Sequence, residues 1–254
     1  MLILAIRRPK LLKFFKSFKS HYRSTIKTVL AFLLLLVSTQ AAKFPPNFKK
    51  CNRKDPNSAK CILEAAQFGV LQANKNYPQI GLANLAPLEI VELKIGAGSH
   101  AVVNVDQNFK NCKLYGFEKA KIRQFEFDFE EKVLRNRGTV PEVKMLCEYE
   151  LNGKVLLLPI VGTGPSTVIL KNLQITAHFE FEYVTLDPEF VSFNFENLFN
   201  GDKQLGDNIN KVLNDNFKEV YADVQQGYEK GLGLIIQQIL NNLFSKVSMD
   251  EAFD

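Results

Sequence analysis

The chain is poor in the groups that do chemistry. Only His21, His100 and His178 stand in 254 residues, so a Ser/His/Asp set has few bases to draw on. There is no G-x-S-x-G elbow, and Gly162-Thr163-Gly164-Pro165-Ser166 lacks the lysine and the following helix of a phosphate loop; it reads as a turn entering a strand. No His and Cys cluster has the short ligand spacing of a metal site. These absences argue against an enzyme, a metal and a cofactor. N-glycosylation is not expected either, because no Asn-x-Ser/Thr sequon occurs.

Acidic side chains are missing from residues 1–42, which hold 8 of the 32 Lys and Arg residues. Residues 43–254 then carry 24 basic and 27 acidic side chains, so the formal +5 of the whole chain belongs to its start and the remainder is at −3. A slightly acidic chain gives no footprint for nucleic acid, and Lys49-Lys50 and Lys119 to Lys121 read as solvated charges. The leading stretch has a basic segment, the apolar run Val29 to Val37, and small residues at Ala41 and Ala42. That order predicts a secretory signal peptide over 1–42 with a long basic n-region, too short in its apolar core for a permanent span. Cleavage would leave 43–254 as a single extracellular domain without stable membrane insertion.

What is abundant is apolar: 46% of residues, with 21 phenylalanines. Cys61 to Lys75 places Ile62, Ala65, Ala66, Val70 and Ala73 at helical spacing, predicting one short amphipathic helix. Tyr77 to Gly98 is proline-punctuated without a clean period and reads as an extended surface passage. Then the period becomes two. Phe125, Phe127 and Phe129, Phe179, Phe181 and Tyr183, and Val191, Phe193 and Phe195 alternate with polar residues, as do Val143, Met145 and Cys147 less strictly. Residues 100–196 therefore predict an antiparallel sheet with one apolar face, with Asn152-Gly153 as the centre of a hairpin. From Leu205 to Val247 apolar residues recur every three or four positions, predicting one helix of about 43 residues, N-capped by Asp207 or Asn208. Gly227, Gly231 and Gly233 mark either a bend in it or a close approach to a strand or ligand. The fold class is α+β, with the twisted sheet wrapped around the helix.

Four cysteines follow the leader. Cys51 and Cys61 bracket turn chemistry that can bring them together, while parity alone leaves the pairing of Cys112 with Cys147 open.

Four stretches in order resemble the takeout and juvenile-hormone-binding-protein family of insect secreted proteins: FPPNFKKCNRKDPNSAKC, PQIGLANLAPLEIVELKI, YELNGKVLLLPIVGTG and NLFNGDKQLGDNINKVLNDNFKEV. The resemblance covers residues 44 to 246. It implies a long C-terminal helix inside a highly curved antiparallel sheet, an apolar tunnel between them, an N-terminal Cys51–Cys61 disulfide, and carriage of a small hydrophobic molecule without catalysis. On this reading Phe125, Phe127, Phe129, Phe179, Phe181, Tyr183, Phe193 and Phe195 from the sheet and Val220, Val224 and Tyr228 from the helix line the tunnel. Tyr183 or Tyr228 would offer a hydroxyl to the ligand. Two alternatives stay open: a self-filled core whose surface binds a secreted partner or receptor, and a lipid-ester hydrolase using His100 or His178.

Overall fold

The computed structural model describes residues 42–253 apart from 97–102, 129, 132, 156–157 and 179–182, and the backbone alone of Val103 and Tyr183. The leader 1–41 lies outside the described residues. Helix α1 (Ser58–Gln72) is followed by strands β1 (Leu88–Ile95), β2 (Val103–Tyr115), β3 (Lys121–Asp128), β4 (Val133–Val155), β5 (Leu158–His178), β6 (Tyr183–Asp187) and β7 (Phe190–Phe195). Helices α2 (Lys203–Asp215), α3 (Phe217–Phe244) and α4 (Met249–Phe253) complete the chain.

The seven strands form one antiparallel sheet in the order β1-β2-β4-β5-β6. The long β4 and β5 are its spine. β4 gives one edge to β3 over Val133–Thr139 and then to β2 over Lys144–Val155; β5 gives its far edge to β7 over Ser166–Lys171 and then to β6 over Gln174–His178. Along β4 the buried Val143, Met145, Cys147, Tyr149 and Leu151 alternate with residues facing outward, as a sheet with one covered face requires. A disulfide joins Cys112 of β2 to Cys147 of β4, and another joins Cys51 to Cys61.

Helix α2 and its continuation α3 lie against the covered face of the sheet, and α3 reaches both β1 and β6. A Cβ on Gly227 would come within 2.4 Å of Ile95 on β1, and one on Gly231 within 2.3 Å of Leu93; Val184 of β6 lies 3.5 Å from the corresponding point on Gly233. Contact with both β1 and β6 means that the sheet curls around α3. Of the two roles open to these glycines, close approach to a strand is the one observed, since α3 runs unbroken from Phe217 to Phe244.

Side chains on the helices also complete the exposed edges of the sheet. Asn210 accepts from the N–H of Phe195 at 2.9 Å and donates to its carbonyl at 2.9 Å; Asn214 does the same to Phe193 at 2.8 and 2.7 Å. In an antiparallel strand the N–H and C=O of every second residue point to the same edge, so two amides spaced i,i+4 on a helix serve two residues spaced i,i+2 on β7. On β6 the N–H of Leu186 donates to Glu229 at 2.9 Å and its carbonyl accepts from Gln225 at 3.0 Å. On β3 Gln67 of α1 accepts from Ile122 N–H at 2.8 Å and donates to Ala120 C=O at 3.1 Å.

Several sequence expectations are corrected. The passage Tyr77 to Gly98 contains β1, whose Leu88, Ile90, Leu93 and Ile95 are buried; Val91 and Glu92 both face outward, which breaks the alternation and hides it. Asn152-Gly153 is no hairpin centre. Pairing of β4 with β5 runs on to Val155↔Leu158, and Gly153 sits where the carbonyl of Asn104 on β2 would be 2.1 Å from a Cβ, so glycine is needed for a neighbouring backbone. Gly162 to Ser166 likewise lies within β5, paired with Cys147 to Leu151. The single 43-residue helix is two, of 13 and 28 residues, broken at Asn216, whose side chain turns back to the Val212 carbonyl at 2.8 Å. The N-cap is Asp202, accepting from Leu205 N–H at 3.0 Å, while Asp207 lies inside the helix and pairs with Lys203 at 2.8 Å.

Replacing Asn214 by Ala strips two backbone groups of β7 of their partners and is expected to destabilise by about 1–3 kcal/mol, read as a lower urea midpoint. Asn214→Asp should not rescue it, because a carboxylate cannot donate to the Phe193 carbonyl. Gly227→Ala should also destabilise, by about 1–2 kcal/mol net, because crowding against the β-branched Ile95 outweighs the gain in helix propensity. Gly231→Ala should cost less, since the end of Leu93 can rotate away.

Candidate functional site

The stripe of α1 that faces inward is made of small residues. Ile62, Ala65, Ala66, Gly69, Val70 and Ala73 follow the i, i+3, i+4 rhythm, and a Cβ on Gly69 would meet nothing within 4 Å. A helix whose inner face is Ala and Gly cannot fill the space beneath it. The result is a cavity of about 280 Å³, near the lower end of the roughly 300–1,000 Å³ usual for small-molecule sites.

Several parts of the chain wall it. Besides α1 these are Phe44 and Phe48 of the entering segment, Phe125 and Phe127 of β3 with Leu134 and Asn136 of β4, Leu240, Leu243 and Phe244 at the end of α3, and Phe253 of α4. The walls are held as units. Gln67 fixes α1 to the edge of β3, Cys51–Cys61 fixes the entering segment to α1, and the Phe127 and Phe253 rings lie 5.5 Å apart. Among the described residues the polar side chains of this lining are Lys49 and Asn136. Lys49 is half-exposed and its ammonium is 2.5 Å from Glu64, which holds that carboxyl below its usual range by hydrogen bond first and charge second. Asn136 is different: its Oδ1 is buried and has no hydrogen-bond partner.

A clasp of polar contacts holds α4 against the entering segment. Phe44 N–H donates to Glu251 at 3.0 Å, Lys50 pairs with the same carboxylate, Arg53 pairs with Asp250 at 2.8 Å, and Arg53 N–H donates to the Phe253 carbonyl at 2.8 Å. The Lys50 hydrogen bond first and the Phe44 N–H second hold the Glu251 carboxyl below its ordinary range.

The residues expected to line a tunnel fall into three groups. Phe125 and Phe127 face the cavity. Phe193, Phe195, Val220 and Val224 surround a separate void of about 20 Å³, room for a single water, with Val105, Gln107 and Leu213 beside them. Tyr228 is buried beside Phe109, with ring centroids 6.3 Å apart, and its hydroxyl donates to Gln107 at 3.4 Å; burial raises its pKa. Phe129, Phe179, Phe181 and the side chain of Tyr183 lie outside the described residues, as does His100. His178 stands at the end of β5, opposite Arg135 and Tyr183. Tyr149 also turns inward, donating to the Glu196 carbonyl, and burial with the Glu196 charge pushes its pKa up to about 12. Among the described residues no group of His, Cys, Asp and Glu could hold a metal ion, and no helix is long and apolar enough to cross a membrane.

Sequence reasoning missed the cavity face of α1, the end of α3, and Asn136. The run of small residues at helical spacing was the available signal for the first.

Residues 29–254 match the family model for haemolymph juvenile hormone binding protein. The chain belongs to that family. The resemblance read from its four motifs is thereby borne out, and the family is one of binding proteins. The circadian clock-controlled protein daywake of Drosophila melanogaster is 26% identical over 239 residues, covering 83% of this chain and 88% of its own, and daywake of Drosophila yakuba is 24% identical over 232 residues. The crystal structure of takeout 1 from Epiphyas postvittana superposes with a TM-score of 0.67 at 23% identity, covering 81% of this chain and 99% of its own. This structure has the fold that the family resemblance implied: α+β, with a curled seven-stranded sheet and a long C-terminal helix.

The clasp should weaken in acid. A carboxyl whose folded pKa lies below its unfolded value stabilises the fold above the unfolded value, about 4.3 for Glu, and that contribution disappears as pH falls through the folded value. The amide resonance of Phe44 is expected to titrate with a midpoint below about 4.3, and Glu251→Gln should abolish that titration.

Proposed function

We propose that the mature chain is a secreted, non-catalytic carrier that takes a small apolar molecule out of water. Juvenile hormone, another terpenoid or a fatty-acyl lipid would suit it. The observation that carries this reading is the 280 Å³ cavity, walled by phenylalanines and by a helix face of Ala and Gly. Burial of apolar surface at roughly 25 cal/mol per Å² supplies the affinity, and a wall with few polar groups adds little directional selection. Membership of a binding-protein family, two disulfides and a basic-then-apolar leader all agree with secretion and carriage. The leader 1–42 would be removed on export. On this reading Phe125 and Phe127 meet the ligand, whereas Phe193, Phe195, Val220, Val224 and Tyr228 form the packed middle that holds the cavity's shape.

That packed middle favours a second reading, in which the fold fills itself and a secreted partner or receptor binds its surface. Gly69→Leu separates the two. The added side chain enters open space, so thermal stability should be kept or raised. Delipidated wild-type protein titrated with radiolabelled juvenile hormone and long-chain fatty acids should show saturable binding that Gly69→Leu loses. No saturable uptake of any apolar compound by the wild type would end the carrier reading.

A further inference from the structure

Asn136 is out of place in its surroundings. It lies on the inward face of β4 with Leu134 and Val140, where the pattern asks for an apolar residue, and it is paired in register with Phe125 on one side and Ala177 on the other. Its side chain lines the cavity, and its Oδ1 is an acceptor shut away from water without a donor. Natural cores rarely leave such a group unsatisfied, and a buried orphan acceptor invites a partner that the chain does not supply.

We infer that Asn136 is the polar anchor of the cavity, and that the occupant it selects is an otherwise apolar molecule carrying one hydroxyl, which donates to the Asn136 amide. This rests on reading the cavity as a ligand site. Oδ1 itself is closed to water, so the occupant's hydroxyl reaches it only once the amide turns about its soft terminal torsion. A hydroxyl both donates and accepts, so it can serve either end of the amide, which an ether or an ester cannot. A carboxylate is a poor fit. Lys49, the one cation of the lining among the described residues, is already paired with Glu64 and half-exposed, and an ionised head beside Asn136 would stand in an apolar wall without a described partner.

The test compares 1-dodecanol, its methyl ether and dodecanoate at pH 7.5 on delipidated wild-type protein and on Asn136→Leu, by calorimetry or displacement of a fluorescent lipid probe. In a purely apolar cavity the ether would bind more tightly than the alcohol, because the alcohol gives up its water hydrogen bonds for nothing. With the anchor, wild type should prefer the alcohol over the ether by about tenfold and over dodecanoate as well, and Asn136→Leu should reverse the alcohol-to-ether order. An ether or dodecanoate that binds wild type as tightly as the alcohol overturns the inference, and so does an alcohol preference that survives in Asn136→Leu. The wild-type ranking decides even if the variant does not fold. If none of the three binds, this inference fails, and the carrier reading is decided separately by the titration with juvenile hormone and long-chain fatty acids; if all bind without the ranking, only the anchor fails.

Discussion

A curled sheet leaves strand edges whose N–H and C=O groups need partners, and in this protein helices supply them through side-chain amides and one carboxylate. Asn210 and Asn214 complete β7, Gln225 and Glu229 complete Leu186 of β6, and Gln67 completes β3. Unpaired edges invite other chains, and here the same hydrogen bonds that blunt them also set the position of each helix along the sheet. The register of α2 is thereby fixed by polar contacts, not by apolar packing alone. Its continuation α3 is then carried close beneath β1, and Gly227 and Gly231 are what let it lie there.

This fixed geometry divides the interior. Along the middle of α3 and the end of α2, large residues meet large residues: Phe193, Phe195, Leu213, Val220 and Val224 close down to about 20 Å³. Toward the end of α3, β3 and the opening turn of β4 face α1, and there one wall is alanine and glycine. Gln67 holds that small-residue wall at the distance set by hydrogen bonding to β3, so α1 cannot move inward to close the gap.

Much of the architecture was legible because period-two and helical patterns are direct images of which face is covered. The strands around Phe125, Val143 and Phe193 read correctly from alternation, and the helix read over Cys61 to Lys75 from its stripe is α1, which begins three residues earlier at Ser58. Failures came where a residue served a neighbour at long range. Gly153 looked like a turn because glycine's other use, allowing the Asn104 carbonyl to approach, depends on a strand about fifty residues away. The break at Asn216 was invisible because the apolar stripe continues across it. The pairing of Asn210 and Asn214 with both backbone groups of a β7 residue was equally hidden, because it needs the helix phase and the strand edge together. The cavity was harder still. Phenylalanines at strand spacing announce an apolar interior, but space is made by what is small, and a stripe of alanine and glycine reads as ordinary helix.

The cost of that space is what makes it informative. A space of about 280 Å³, partly open to solvent, forgoes packing that larger neighbouring side chains could supply. Filling could begin at Gly69, where an added Cβ meets nothing within 4 Å. Packing alone would therefore favour a larger side chain there. The fold packs its middle to the size of one water, braces one wall by a disulfide and a glutamine, and leaves the adjacent volume open, which is the arrangement that the carrier proposal requires. The lone unsatisfied amide of Asn136 in its lining is the kind of polar group an occupant would complete.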